Sequence, residues 1–438
     1  MEFPDAATID AALESVTFPT FVEARLERST PVLENPTDTA RAALDRLPLE
    51  RVPAGGTVAV GVGSRGIGEI ERIAPAVVDE LRAQGFDPVV VPAMGSHGGA
   101  TSEGQRRTLA ALGLSERRLG CEIDGRMATR AVGETASGQP VYVAEAALEA
   151  DGIVLLNRVK PHTSFEGPVE SGLCKMAAVG LGKREGAAAM HERALVDGYA
   201  ETITEAFAVV RAETPLLGGV AVVENGEEQP AAVEGMSADA LPDAEAALLE
   251  RAKAHLPTLP FDALDVLVID RIGKDVSGTG MDTNVVARTP MVGASGPEVP
   301  EITRIVVRGV SEASHGNAHG IGLADLTTTA VLEELDLEAM YTNALTSGSL
   351  ELDRLPVALP TEAQALTAAV SCIGPSDPET VRIAWIRDTG HLTRFYVSSA
   401  LASESLEGVR FGERSRLVFE DGEARLEALE SHTADERA

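Results

Sequence analysis

Lysine is scarce in this sequence, although arginine is plentiful. The chain has 37 basic residues, and only five of them are lysines, namely Lys160, Lys175, Lys183, Lys253 and Lys274. Three of the five lie in one short segment, between positions 160 and 183. A lysine amine can lose its proton and form covalent bonds, which an arginine guanidinium cannot do. The retention of these three lysines predicts tasks in that segment that arginine could not perform.

Cysteine is also rare, and long apolar runs are missing. The three cysteines, Cys121, Cys174 and Cys372, are far apart and odd in number, which argues against a disulfide framework and favours a reducing compartment. No apolar run approaches the roughly 18 residues that a membrane helix needs. The first residues lack the basic start and apolar core of a signal peptide. We therefore expect a cytoplasmic protein that does not bind membranes.

Positive charge is in short supply as well. The chain has 68 acidic residues against 37 basic ones, a formal net charge of -31. Because 44% of the residues are hydrophobic, this charge does not indicate disorder, which also requires low hydrophobicity. Such an acidic surface is typical of proteins that stay dissolved in concentrated salt, where screening limits charge repulsion to about 3 Å. The charge argues against nucleic acid and anionic membranes as partners.

The order of predicted elements is that of an α/β protein. Apolar, β-branched runs at 57–62 and 87–92 are each followed by a glycine-containing loop and a helix. This repeat predicts parallel strands joined by crossover helices. The alternation restarts beyond a proline-containing stretch at 255–260. We predict two α/β domains, each with a mainly parallel sheet flanked by helices, and an active site in the cleft between them.

The predicted N-terminal domain covers residues 1–256 and carries the catalytic and cofactor-anchoring loops. The C-terminal domain is predicted at 261–422, and residues 423–438 are expected to form a disordered acidic tail. Within the first domain, single helices are predicted at 67–84 and at 186–211.

One strand end concentrates reactive side chains. The apolar strand at 153–156 ends in Asn157-Arg158-Val159-Lys160-Pro161-His162, and further lysines and glycines follow as far as His191. An abrupt change from an apolar strand to a polar, glycine-containing loop is typical of functional loops at the carboxyl end of a sheet strand. The segment 157–191 is therefore the candidate active site.

A glycine loop lies between the first of these strands and its helix. Gly61, Gly63 and Gly66 have the spacing of a dinucleotide-binding loop, but the next strand lacks the terminal acidic residue that usually binds a ribose. We favour an anion site formed by Ser64, Arg65 and the helix N-terminus. Binding of NAD by this loop remains an alternative, and so does a turn without a ligand.

Two histidines follow strand ends. His97 lies among glycines in Gly95-Ser96-His97-Gly98-Gly99, and His162 follows Lys160-Pro161. An imidazole titrates near neutral pH and can give or take a proton. Two of them on separate loops suit an enzyme that handles a proton on either face of its substrate.

Other reactive residues have weaker patterns. His191 could join His97 and His162 in a three-histidine zinc site. Cys174 is expected to be a small buried residue rather than a nucleophile. The roles of His315 and His319 stay open.

The order of these residues resembles the nickel-pincer lactate racemase family, a group of 2-hydroxyacid racemases and epimerases. The resemblance runs from about residue 57 to residue 399 and is most specific between Asn157 and His191. It implies an isomerase that inverts the C2 centre of a lactate-like 2-hydroxyacid with a nickel-pincer nucleotide. The α-hydrogen would move as a hydride to the cofactor, because it is too weakly acidic for an unaided side-chain base.

The resemblance also implies roles for individual residues. His97 and His162 match the catalytic pair, and Arg65 matches the residue that binds the substrate carboxylate, with Ser64 beside it. Lys175 matches the lysine that holds the pincer, and His191 matches the nickel ligand. Further residues expected at the cofactor are Lys160, Lys183, Lys274, Gly95 and Ser96.

The expected partners are a small 2-hydroxyacid and the proteins that build the cofactor, and a homo-oligomer is compatible with the sequence. Two other functions remain open. One is an NAD-dependent 2-hydroxyacid dehydrogenase that uses the glycine loop at 61–66. The other is a non-catalytic relative that binds an anion or a metal.

Overall fold

A computed structural model describes residues 3–27, 31–64, 66–406 and 408–429. The chain divides into two compact units. One unit is the continuous stretch Thr30–Leu256, and the other combines Met1–Ser29 with Pro257–Ala438. Among the described residues, no helix is long and apolar enough to cross a bilayer.

The strands are numbered in chain order. They are β1 (Phe21–Leu26), β2 (Thr57–Val62), β3 (Asp87–Pro92), β4 (Thr129–Glu134), β5 (Pro140–Ala144), β6 (Gly152–Arg158), β7 (Leu216–Glu224), β8 (Pro230–Ser237), β9 (Ala263–Ile269), β10 (Glu301–Val307), β11 (Leu326–Thr328), β12 (Val357–Leu359), β13 (Ile383–Ile386), β14 (Arg394–Ser398), β15 (Val409–Glu420) and β16 (Glu423–Ala428).

The α-helices are numbered in the same way. They are α1 (Ala6–Ala12), α2 (Pro36–Ala43), α3 (Ile70–Ala83), α4 (Ser102–Ala111), α5 (Glu116–Leu119), α6 (Glu145–Leu148), α7 (Leu173–Lys175), α8 (Lys183–Asp197), α9 (Tyr199–Glu213), α10 (Asp243–His255), α11 (Thr283–Val286), α12 (Thr329–Glu333), α13 (Leu337–Ser347), α14 (Glu362–Ser371) and α15 (Ser399–Ala402). A π-helical turn, Met176–Gly180, follows α7. Short 3-10 turns lie at Leu44–Arg46, Leu49–Arg51, Gly98–Ala100, Glu312–Ser314, Ile321–Leu323 and Leu350–Asp353.

The unit Thr30–Leu256 is built on a five-stranded sheet with the order β3-β2-β6-β7-β8. All neighbours pair in parallel except β7 and β8, which are antiparallel. Because β2, β3 and β6 run in the same direction, the loops that follow them leave the same edge of the sheet. These loops carry Ser64, His97 and His162, so the fold brings three predicted site residues to one edge.

Both faces of this sheet are covered, as the unbroken apolar strands predict. Ile153 and Leu155 of β6 belong to one hydrophobic core, together with Phe207 of α9. The alternating residues Val154 and Leu156 belong to a second core on the other face, which α3 covers. The central strand is therefore fixed on both sides, and its carboxyl end is a rigid base for the loop that follows.

The second unit contains a nine-stranded sheet with the order β12-β11-β10-β9-β13-β14-β1-β15-β16. The strands from β12 to β13 pair in parallel. The strands from β13 to β16 pair antiparallel. The predicted α/β class with two domains is confirmed, and this sheet is parallel in one half only.

Strand β1 changes the predicted domain boundary. It lies between β14 and β15 and pairs antiparallel with both, for example Val22 with Val397 and with Arg414. The chain therefore starts in the second unit, not in the N-terminal domain predicted at 1–256. Local patterns gave no signal for this pairing because the partners are several hundred residues away in sequence.

Two further predictions about elements are wrong. Residues 423–428 are not a disordered tail, because β16 pairs with β15 from Glu423 to Ala428; residues 430–438 lie outside the described residues. The single helix predicted at 186–211 is two helices, α8 and α9. Gly198 separates them with a φ of 86°, a left-handed backbone conformation that ends a helix and suits glycine.

Candidate active site

The site begins with a pair of side chains on two neighbouring loops. Ser64, just past β2, lies with its Oγ 2.5 Å from Nδ1 of His97, which follows β3. His97 and the adjacent Ser96 are exposed, and Ser64 is half-buried. Two predicted residues that are distant in sequence therefore meet at the sheet edge, where His97 faces solvent and can reach a ligand.

The loop that carries His97 is held in a compact conformation. Gly98 has a φ of 67° and leaves no room for a side chain, because a Cβ would lie 2.6 Å from the backbone carbon of Gly104. Thr101 caps α4 by accepting a hydrogen bond from Gly104 N–H at 3.0 Å. Gly95 N–H donates to Gly180 O at 3.0 Å, which ties this loop to the π-helical turn after Lys175. The position of His97 is thus fixed from both ends of its loop.

His162 lies in a closed loop beyond β6. Lys160 and Ser171 close the loop through a pair of backbone hydrogen bonds of 2.9 and 3.1 Å. Inside it, the buried carboxylate of Glu170 accepts from His162 N–H at 2.6 Å and from Gly167 N–H at 3.3 Å. The ammonium of Lys253 on α10 lies 3.1 Å from the same carboxylate. Glu170, which follows His162 in a stretch rich in charge, is therefore the internal anchor of the loop.

An aromatic stack joins this loop to the helices that follow. The His162 ring stacks on Phe165 with 4.4 Å between centroids, and Phe165 stacks on Tyr199 at 5.2 Å. Lys175 Nζ lies 5.6 Å from the centre of the Phe165 ring, a cation–π contact. His191 contacts Tyr199 edge to face, and its Nδ1 lies 3.2 Å from the Tyr199 hydroxyl. The stack thus brings three of the predicted residues, His162, Lys175 and His191, to one place, and their roles stay predictions.

The environment of His191 favours its neutral form. Burial lowers the pKa of His191, and the positive charge of Lys175 lowers it further. A metal binds the neutral imidazole, because the protonated ring has no lone pair to donate. With Nδ1 next to the Tyr199 hydroxyl, Nε2 is the nitrogen that suits a metal.

A buried carboxylate that sequence analysis missed supports Lys175. Glu245 of α10 is 1% exposed, and its Oε2 accepts a hydrogen bond from Cys174 N–H at 3.0 Å. Gly172 makes room for it, since a Cβ there would lie 2.5 Å from the Glu245 carboxyl carbon. Burial raises the pKa of Glu245 to about 7. Glu245 holds the turn that presents Lys175, and no local motif indicated it because α10 is distant in sequence.

Cys174 itself is buried, as predicted. Burial and the neighbouring Glu245 carboxylate raise the pKa of the Cys174 thiol. A thiol needs its deprotonated form to act as a nucleophile. The residue therefore serves as a packed part of the turn.

Some predicted residues are engaged in other contacts. Arg158 forms an ion pair with Glu224, at the ends of β6 and β7. Gly95 is buried, with its N–H committed to Gly180. Lys183 is completely buried. Arg65 lies outside the described residues.

The remaining predicted residues belong to the second unit. Lys274 Nζ donates to Gly278 O at 2.8 Å within its own loop, so a contact with a cofactor stays a prediction. His319 is 4% exposed, and its Nδ1 lies 2.7 Å from Asp353 Oδ2. His315 is exposed and has a φ of 47°. The buried pair of His319 and Asp353 stabilises the fold of this unit.

The glycine loop has little space for a dinucleotide. A Cβ on Gly61 would lie 2.8 Å from Leu155, and one on Gly63 would lie 2.7 Å from Met176, so these glycines allow close packing of the protein itself. The helix that follows begins at Ile70 instead of residue 67, and Glu69 occupies its N-cap position. Gly68 N–H donates to the Glu224 carboxylate at 2.6 Å. Two carboxylates, those of Glu69 and Glu224, thus lie at the N-terminal end of this helix, and the anion site expected there stays a prediction.

The described residues contain no group of three or more His, Cys, Asp or Glu side chains placed to hold a metal ion. Within these residues, His97, His162 and His191 are thus not gathered as three possible ligands of one ion. Lys175 contacts Phe165 of the aromatic stack, and His191 contacts Tyr199 of the same stack.

Comparison with known proteins gives two kinds of similarity. Residues 31–202 match the family described as the lactate racemase N-terminal domain. The lactate racemase apoprotein from Thermoanaerobacterium thermosaccharolyticum is similar in structure, with a TM-score of 0.52 and 15% identity over 83% of this chain and 94% of that chain. A protein from Thermotoga maritima has a TM-score of 0.49 and 15% identity over 83% of this chain and 98% of that chain. None of the curated proteins matches the chain.

The matched segment lies within the unit Thr30–Leu256 and includes the predicted residues from Ser64 to His191. At 15% identity, the similarity to the apoprotein shows a shared fold. Residues 31–202 are thus similar to the lactate racemase N-terminal domain, which agrees with the resemblance carried by the order of the motifs.

Proposed function

We propose that the chain is a racemase or epimerase that inverts the C2 centre of a small 2-hydroxyacid. The observation that carries this proposal is the meeting of His162, Lys175 and His191 around one aromatic stack. The loop of His97 is tied to the same segment through Gly95 and Gly180. Acid–base groups, an amine and a neutral imidazole are thus gathered in a segment that matches the lactate racemase N-terminal domain.

Lys175 and His191 fit the nickel-pincer nucleotide. His191 is a neutral imidazole with one nitrogen beside a hydroxyl, which is the usual state of a histidine ligand. Lys175 offers the amine that would hold the organic part. When bound, this cofactor supplies an electrophile that takes up the α-hydrogen of the substrate as a hydride.

His162 is prepared to donate a hydrogen bond from Nε2. Its Nδ1 accepts a hydrogen bond from Ser164 N–H at 3.0 Å. Because a backbone N–H can only donate, Nδ1 carries no proton, and the proton of the neutral ring lies on Nε2. In this state His162 donates Nε2–H to an oxygen of the substrate.

His97 is prepared to accept a proton. The Ser64 hydroxyl beside its Nδ1 can either donate or accept. When the hydroxyl accepts, the proton of His97 lies on Nδ1 and the lone pair lies on Nε2. We assign removal of the substrate hydroxyl proton to this nitrogen, which gives the two histidines complementary roles at the start of the reaction.

The 2-keto acid formed when C2 loses its hydrogen is planar at that carbon. Inversion then requires that hydrogen returns to the opposite face while a proton returns to the oxygen. The His97 ring, which has taken up the hydroxyl proton, gives it back to that oxygen, while His162 donates a hydrogen bond to it. We also propose that the proteins that build the cofactor deliver it to Lys175.

The proposal is tested on protein produced in a host that builds the pincer. The measurements are nickel per chain, intact mass, and chiral analysis of several 2-hydroxyacids after incubation. We expect nickel near one per chain, added mass on Lys175 for a covalent link, and inversion that is lost in His97→Ala and in His162→Ala. Protein without nickel and without inversion, combined with saturable binding of NADH, would overturn the proposal in favour of a dehydrogenase.

A further inference from the structure

Lys183 is one of the few completely buried charged side chains among the described residues. It is 0% exposed, lies at the start of α8 and has a left-handed φ of 51°. Its Nζ donates to Pro92 O at 2.7 Å and to Gln105 Oε1 at 2.9 Å. The amine therefore connects the end of β3 to α4, on either side of the loop that carries His97.

Gln105 continues this connection to the loop itself. It is also 0% exposed, and its Nε2 donates to Gly95 O at 2.8 Å and to His97 O at 3.4 Å. The hydrogen bond from Lys183 fixes the orientation of the Gln105 side-chain amide. Since Oε1 accepts from Lys183, Nε2 must face the two carbonyl oxygens.

Lysine suits this place better than arginine does. Burial lowers the pKa of Lys183 to about 8, so the amine can lose its charge inside the protein. A neutral amine has two N–H donors, which match the two acceptors, Pro92 O and Gln105 Oε1. A guanidinium keeps its charge and five donors, which this enclosed place could not satisfy. This accounts for a lysine kept in a chain that otherwise prefers arginine.

We propose that Lys183 and Gln105 are positioning residues for His97. Their hydrogen bonds fix the backbone of residues 95–97, and with it the place of the His97 imidazole beside Ser64. Lys183 thus acts on the protein loop, in place of the cofactor contact predicted from sequence. The catalytic consequence rests on the proposed function, whereas the structural consequence does not.

The structural consequence is measured on cofactor-free protein by carbethoxylation. Diethyl pyrocarbonate reacts with unprotonated imidazole, and peptide mapping gives a rate for each histidine. We expect Lys183→Met and Gln105→Glu to change the His97 rate by about threefold or more relative to the exposed His391, the change that half a pKa unit gives. Gln84→Glu, at an exposed position between α3 and the start of β3, is the matched control and leaves the rate unchanged.

Two variants keep the test decisive. Gln105→Glu retains an acceptor for Lys183 and removes the donor to the loop, so it tests the contact even where Lys183→Met fails to fold. Lys183→Arg keeps the charge and should fail to restore the wild-type rate. An unchanged His97 rate in folded Lys183→Met or folded Gln105→Glu would overturn the proposal.

The catalytic consequence is measured separately, in the loaded enzyme. A displaced His97 should lower kcat by about 10- to 100-fold, with KM changed much less, and shift the pH profile. If the wild-type protein inverts no hydroxyacid, the proposed function fails, and the carbethoxylation rates still decide whether Lys183 and Gln105 position His97.

Discussion

The carboxylate of Glu245 accepts a hydrogen bond from Cys174 N–H at 3.0 Å, directly before Lys175 in the chain. The other oxygen, Oε1, is buried and has no hydrogen-bond partner among the described residues. A buried carboxylate with one unsatisfied oxygen favours its protonated form. The turn that presents Lys175 is therefore built around a group that titrates near neutral pH.

This buried carboxylate makes the stability of the protein depend on pH. The folded-state pKa of Glu245 is about 7, above the ordinary value of 4.5, so the folded state binds more protons between these pH values. The stability that this group contributes is fully present below 4.5 and is lost as pH rises through 7, by an amount on the order of 3 kcal/mol. Glu245→Gln removes this contribution.

The measurement is the free energy of unfolding by denaturant, for wild type and Glu245→Gln, at several pH values from 4.5 to 8. Because other acidic residues also titrate, the informative quantity is the difference between the two proteins at each pH. A difference that does not change with pH would contradict a raised pKa for Glu245.

Gly172 is predicted to be intolerant of a side chain. A Cβ there would lie 2.5 Å from both Cδ and Oε1 of Glu245. This is closer than non-bonded atoms approach, so the buried Glu245 side chain would have to move. Gly172→Ala should lower the free energy of unfolding by about 1–3 kcal/mol. Gly66→Ala is the control, since no atom lies within 4 Å of the Cβ position at Gly66. Equal melting temperatures for the two variants would show that the turn around Glu245 is looser than described.

The Tyr199 hydroxyl is predicted to strengthen metal binding by His191. Tyr199→Phe keeps the stack on Phe165 and removes the oxygen 3.2 Å from His191 Nδ1. Loss of such a partner typically weakens metal affinity by about 10- to 100-fold. Nickel retained against a competing chelator measures the effect, and Tyr341→Phe, at an exposed position on α13, is the control. Identical retention in both variants would argue against His191 as the nickel ligand.

The tautomer of His162 can be observed directly. If Ser164 N–H donates to Nδ1, nitrogen NMR of the neutral ring should show an unprotonated Nδ1 and a protonated Nε2. Comparison with His162→Gln assigns the signals. A protonated Nδ1 in the neutral ring would contradict the role proposed for His162, which is to donate a hydrogen bond from Nε2 to an oxygen of the substrate.

Sequence patterns located the reactive loops because those patterns are local. An apolar strand followed by glycine and histidine marks both the loop of His97 and the loop of His162, and both leave the predicted edge of the sheet. Lys175 and His191 were assigned to the site through the family resemblance that the order of motifs carries. Both contact one aromatic stack, and their roles stay predictions.

The supporting residues could not be found in this way. Glu245 and Lys253 belong to α10, Tyr199 starts a helix that was predicted as the middle of a longer one, and Gln105 is an ordinary residue within α4. Each acts through a contact with a residue far away in sequence. The pairing of β1 with β14 and β15 was missed for the same reason.

The most direct test of the account follows the hydrogen on C2. Enzyme loaded with nickel-pincer nucleotide is incubated in ordinary water with an L-2-hydroxyacid carrying deuterium at C2, beginning with lactate, and the D-product is analysed by chiral separation and mass. We predict a D-product that retains its deuterium, since a hydride returns to the carbon it left. A D-product that has lost its deuterium to water would contradict hydride transfer, and the absence of a D-product from every hydroxyacid tried would contradict the proposed activity.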